Sequence, residues 1–103
     1  MSKSIEVRKY VGSGFPPDEG EKLANILLKE DTWDGLTLDV RGCQNGVLIS
    51  SFVNAFLQRI ADRQQDRLPA ARKLEWTTAF EFQSENIRTW VERFEPAPAV
   101  LEA

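Results

Sequence analysis

Histidine is absent from this chain, and cysteine, methionine and tyrosine occur once each. Without histidine, no Ser-His-Asp or Cys-His nucleophilic arrangement can be built from this chain alone. A disulfide framework needs at least two cysteines, and Cys43 stands alone. A structural zinc site is not expected either, since it draws on Cys and His. Long apolar runs are also missing: nothing approaches the roughly 20 residues that span a bilayer. The opening stretch, Met1 to Tyr10, is polar and charged and does not read as a secretory signal. No charge dominates. Lys plus Arg number 13 against 16 Asp plus Glu, a net charge of −3, so the basic footprint of a general nucleic-acid binder is lacking. A lone thiol points to a reducing compartment, and the cytoplasm is the expected location.

What is present suits one domain. A chain of 103 residues buries roughly two-thirds of the surface that its unfolded form exposes, enough to fold without staples. Residues 1–95 read as that domain and 96–103 as a flexible C-terminal tail. Ile5 to Val11 reads as a first strand, broken by Gly12-Ser13-Gly14 and the Phe15-Pro16-Pro17 turn. Pro17 with Asp18 and Glu19 suits a helix start, because proline fits the first turn and acids complement the dipole. Leu23, Ile26 and Leu27 continue it at helical spacing to about Glu30. Asp34-Gly35 signals a turn. Leu36, Leu38 and Val40 then alternate with Thr37, Asp39 and Arg41 as a second strand that ends at Gly42.

A loop holding Cys43 and the Asn45-Gly46 turn pair leads through Val47-Leu48-Ile49 to Ser50-Ser51. Phe52, Val53, Phe56, Leu57 and Ile60 fall on one face of a helix that should run to about Gln65. A polar segment follows from Arg63 to Arg72. Lys73 to Phe82 alternates and predicts a third strand, with Leu74, Trp76, Thr78, Phe80 and Phe82 on its buried side. Ser84 is the expected cap of a last helix striped by Ile87, Trp90, Val91 and Phe94, which Glu95-Pro96 ends. The order β-α-β-α-β-α predicts an α/β fold, a mixed sheet covered by helices. Functional positions in such folds lie where strand ends meet helix N-termini.

Ser50 and Ser51 occupy that kind of position. A phosphate there would be favoured by the helix dipole and free N–H groups, and its added charge could switch a binding face. The plainer reading is that both serines simply cap the helix, a position that serine strongly prefers. Gly12-Ser13-Gly14 could cradle phosphate, but no Gly-Lys-Ser/Thr follows, so a turn explains it as well. Asp39 could serve as a metal ligand or base, yet no second acid stands at useful spacing, and no metal site is predicted. Arg59, Arg63 and Arg67 stand four apart and could form a basic patch, although interleaved Asp62 and Asp66 suit a solvated face with local ion pairs. Cys43 could be redox active if Arg41 or a helix N-terminus stabilised its thiolate. The three tryptophans, Trp33, Trp76 and Trp90, read as core or half-buried.

Leu36-Thr37-Leu38-Asp39-Val40-Arg41-Gly42-Cys43, followed by Ser50-Ser51-Phe52-Val53-Asn54-Ala55-Phe56, resembles the STAS superfamily (sulphate transporter and anti-sigma factor antagonist). It looks closest to the STAS-like domains of unknown function, which tend to show a Leu-Asp-Phe-x-Gly-Val strand, a loop and a Ser-Phe-Ala-Asp-Glu helix start. Asn86-Ile87-Arg88 with Trp90-Val91-Glu92-Arg93 is similar to the closing helix of that group, and Glu21 to Leu28 sits where its first helix would. The likeness runs from about Phe15 to Phe94. It implies a STAS-like regulatory module and not an enzyme. It further implies a partner ATPase of the histidine-kinase fold that phosphorylates a serine at the start of the helix after the second core strand. By position that serine is Ser50, with Ser51 second. Two departures stand out: Ile49 where an acid usually precedes the serine, and Phe52 where glycine usually follows.

The expected function is therefore a non-catalytic protein-interaction module that docks its partner through Cys43, Asn45, Ser50, Ser51 and Asn54, without a cofactor. Two other readings fit the same residues. One is a small-ligand or nucleotide-binding domain that uses the Gly12 loop and the Ser50 helix start. The other is an antagonistic binding protein from a mobile element that presents an acidic surface. Catalysis comes last, because only scattered carboxylates are available as bases.

Overall fold

The computed structural model describes residues 3–10, 17–41, 50–78 and 80–96. Strand β1 is Lys3–Glu6 and runs into a 3₁₀ turn, Val7–Lys9. Helix α1 is Pro17–Leu28, strand β2 is Leu36–Asp39 and helix α2 is Ser50–Gln64. A second 3₁₀ turn, Gln65–Arg67, leads to the short helix α3, Leu68–Arg72. Strand β3, Glu75–Thr77, and helix α4, Glu81–Arg93, complete the described chain.

The three strands lie in the order β1-β2-β3, and both pairs are parallel. The sheet is thus wholly parallel among the described residues, not mixed. Ile5 stands opposite Leu38, and Leu38 opposite Trp76. Two crossovers of the usual right hand, stepping the same way across the sheet, put α1 and α2 on one face. These two helices pack against each other more extensively than any other pair of elements. Helix α4 packs on α2 beyond them. Ile5, Leu36 and Leu38 face this layer and are buried, and the Trp76 ring meets the Phe56 ring edge-on at 5.6 Å. Period-2 alternation sends Ser4, Glu6, Thr37, Asp39, Glu75 and Thr77 to the opposite face, and none of them is buried. Parallel sheets are commonly covered on both sides by apolar runs; these strands alternate, and only one side is covered among the described residues.

The core is dominated by α2. Phe52, Val53, Phe56, Leu57 and Ile60 are fully buried, and Leu23, Ala24 and Leu27 of α1 close over them. Gly20 permits that approach. A Cβ there would overlap the Phe52 carbonyl oxygen and press to 3.1 Å from the Phe56 nitrogen, so a residue that ordinarily weakens a helix is required by packing. Gly35 adopts φ 72° in the turn before β2, a conformation that glycine takes without steric cost. The Trp33 indole N–H donates to the Leu27 carbonyl at 3.0 Å, a buried bond at the end of α1 beside the one that carbonyl accepts from the Glu30 N–H.

Several elements differ from the sequence expectation. The first strand ends at Glu6, because Val7–Lys9 winds into a 3₁₀ turn closed by the Tyr10 N–H on the Val7 carbonyl. The polar segment from Arg63 to Arg72 is helical in its second half: Leu68 and Ala71 are buried, and Pro69 sits in the first turn, where its missing N–H costs nothing. The third strand stops at Thr77. Phe80 instead caps α4, its N–H donating to Gln83 Oε1 at 3.3 Å and its carbonyl accepting from the Gln83 N–H at 3.1 Å. Phe80 and Phe82 therefore point outward and not into the core. Ser84 lies inside α4, and its hydroxyl sits 2.6 Å from that of Thr78. Arg72 closes the other end of α4, donating to the carbonyls of Val91 at 2.6 Å and Phe94 at 2.8 Å. Gly12, Ser13, Gly14, Cys43 and Asn45 lie outside the described residues, as does the expected tail beyond Pro96.

Candidate functional site at the start of helix α2

Parallel strands deliver the chain to one edge of the sheet, and α2 begins at that edge. Ser50 is its first residue and is exposed; Ser51 is half-buried. The next two side chains, Phe52 and Val53, are fully buried and anchor the turn. Phe52 belongs to the core, so no partner can reach it without unfolding this end of the helix. Neither serine hydroxyl makes a hydrogen bond among the described residues, so the capping role is not realised there. The first turn of α2 carries no acid. An anion at Ser50 would meet the positive end of the dipole, with no carboxylate of the same turn opposing it.

Asn54 and Gln58 follow Ser50 at intervals of four and share its side of the helix. With Ala55 they form one wall of a groove of about 650 Å³. The other wall is Trp90, Arg93, Phe94 and Glu95. Trp90 is half-buried, so part of its side chain remains accessible in that wall. The groove thus offers hydroxyl, amide and aromatic groups side by side. Such groups can hydrogen-bond and stack against a docked surface. Of the residues expected at a docking surface, Ser50 and Asn54 come together here and Ser51 lies beside them. Gln58, Trp90 and Arg93 were not anticipated. The four-residue spacing from Ser50 to Gln58 is a sequence signal that could have found the first of them.

Asp39 is not a free base. Arg41 Nε reaches Oδ1 at 3.1 Å, Nη2 reaches Oδ2 at 3.0 Å, and the Arg41 backbone N–H donates to Oδ1 at 2.9 Å. These bonds hold the Asp39 carboxyl below the usual carboxylate range, the Arg41 side-chain hydrogen bonds contributing most, against an opposing effect of burial. The Arg41 guanidinium is thereby paired with Asp39; Cys43 lies outside the described residues. Among the described residues, no group of three or more His, Cys, Asp or Glu gathers to hold a metal ion.

Arg59, Arg63 and Arg67 do not form a continuous patch. Arg67 lies in the 3₁₀ turn after α2, out of register with the other two. Its guanidinium stacks on the Trp33 ring at 3.8 Å. Arg59 donates to Asn25 Oδ1 of α1 at 3.1 Å. Arg63 is left exposed beside Lys29 in a shallow groove between α1 and α2.

No protein-family model, no curated protein and no solved structure matches this chain. Among the described residues, no helix is long and apolar enough to cross a membrane.

Proposed function

We propose that this chain is a non-catalytic regulatory module that resembles the anti-sigma factor antagonists and docks a partner protein, an ATPase of the histidine-kinase fold, through the start of α2. One observation carries the reading: Ser50 stands exposed at the first position of a 15-residue helix, beside a groove that Asn54, Gln58 and Trp90 line. An accessible hydroxyl on the positive end of a helix is a site where an added phosphate is electrostatically stabilised. The same phosphate would add charge and bulk to any surface docked there, so modification and binding would exclude each other. The resemblance of residues 36–56 to the STAS superfamily supports the choice of partner class.

The test is co-purification of such an ATPase with the tagged chain from its native cells. Wild type and Ser50→Ala should retain the ATPase, and Ser50→Asp should lose it by at least about tenfold, the scale of a like-charge or desolvation penalty at an interface. Retention of the full amount by a folded Ser50→Asp variant contradicts the reading.

A further inference from the structure

Helix α4 ends without the usual glycine. The last four carbonyls of a helix have no partner inside it, and a glycine beyond the end commonly lets the chain turn back to satisfy them. Here Phe94, Glu95 and Pro96 follow Arg93, and Phe94 is already extended, with φ −63° and ψ 133°. The Arg72 guanidinium takes over that task from outside the helix. Nη1 donates to the Val91 carbonyl at 2.6 Å and Nη2 to the Phe94 carbonyl at 2.8 Å. No ion pair joins Arg72 to a carboxylate among the described residues. Its charge faces the negative end of the helix dipole and lies 5.8 Å from the centroid of the Phe94 ring.

The support behind Arg72 is fixed. It is the last residue of α3, whose Leu68 and Ala71 are buried. The Lys73 and Leu74 N–H groups donate to the Ala70 and Ala71 carbonyls at 3.1 and 3.2 Å, which pins the chain between α3 and β3. What Arg72 grips is the second wall of the Ser50 groove. That wall is Trp90, Arg93, Phe94 and Glu95, opposite Ser50, Asn54, Ala55 and Gln58, and the two gripped carbonyls belong to the same stretch of chain. Arg72 itself lines a different groove, with Val91 and Glu92, so it reaches the wall only through α4. The grip calls for arginine: a planar fork serves two acceptors in fixed geometry, whereas a lysine ammonium is a single point charge.

We infer that Arg72 is a positioning residue for docking, which fastens the end of α4 so that Trp90 and Phe94 stand opposite Ser50 in the arrangement that a partner meets. The inference deepens the docking role proposed for this groove and rests on it. Without the fork, the last turn of α4 opens more often, as weakly held helix ends do. The wall then occupies its docking arrangement for only part of the time, and affinity falls by that fraction.

Arg72→Lys and Arg72→Gln test it, the first keeping the charge and losing the fork. In the free ¹⁵N-labelled chain, either change should speed amide exchange at Glu92, Arg93 and Phe94 and shift the Trp90 indole resonance, while the circular dichroism spectrum and the amides of β1 and β2 stay as they were. Affinity for the co-purifying ATPase should fall about tenfold in Arg72→Lys, the loss expected when the wall is in place about one-tenth of the time. Ile5→Val loosens the core away from the groove and should leave that affinity unchanged, which separates positioning from stability. An Arg72→Lys variant that docks as tightly as wild type overturns the inference and leaves the Ser50 site standing. So does a final turn of α4 that exchanges as slowly as before, or an equal loss of affinity in Ile5→Val. A wild type that docks no ATPase overturns the reading of the groove, and the inference with it.

Discussion

Asp39 and Arg41 sit two residues apart where β2 leaves the sheet, and they illustrate how one side chain can exclude a function. A carboxylate alone on a strand invites a catalytic reading. Three hydrogen bonds from a single arginine turn it into a lock on the chain's exit from β2. The linkage follows in sign. The folded carboxyl is lowered relative to the unfolded one, so its contribution to stability is complete above the ordinary carboxylate range, about pH 4. That contribution is lost as pH falls through the folded value. Urea midpoints for wild type and Asp39→Asn should therefore differ at neutral pH and converge as the solution is acidified below about pH 4. A gap that is independent of pH would show that the carboxylate's charge is not what stabilises the turn. Ser50 is the converse case. Its position after a strand and before five apolar helix residues was readable in the sequence. Its exposure was not, because a helix start can face either the solvent or a covering loop.

At the scale of elements, the amphipathic helices were the legible part. The stripe from Phe52 to Ile60 is wholly buried; of the last helix's stripe, Ile87, Val91 and Phe94 are buried and Trp90 is half-buried. The third strand was misjudged for a physical reason. Alternation from Leu74 to Phe82 suits a half-buried strand, but among the described residues β3 has a neighbour on one side only. Its outer edge offers no ladder to extend along, whereas a helix from Glu81 satisfies its own backbone. The two readings diverge at Phe80 and Phe82, the residues left exposed. Gly20 shows the opposite failure: in sequence it is only a weak point in α1, and its necessity arises from a helix that lies 32 positions later, counting from Gly20 to Phe52. Gly20→Ala should therefore destabilise the fold by about 1 to 3 kcal/mol, as overpacking does. It should not bring the gain of roughly 1 kcal/mol that alanine usually gives within a helix. Denaturant unfolding measures the difference directly, and a stabilised variant would mean that α1 and α2 are less closely apposed than described.

The described residues form a helical layer on one face of a short parallel sheet. Sequence pattern identified the faces of the strands but not their neighbours, since alternation says which side chains are covered and nothing about which strands pair. The consecutive parallel order has a functional consequence. It gathers the ends of β1, β2 and β3 at one end of the sheet, while the groove beside Ser50 is closed by the end of α4. On the opposite, polar face of the sheet, Glu6 and Asp39 have cations nearby, and Glu75 is exposed. The central claim is that a partner docks at the start of α2 and along its groove. Titrating the ¹⁵N-labelled chain with the co-purifying ATPase and following its amide and indole resonances tests this most directly. The account predicts shifts confined to Ser50, Ser51, Asn54, Gln58 and the Trp90 indole; shifts on the polar sheet face around Thr37 and Thr77, with those signals unmoved, would contradict it.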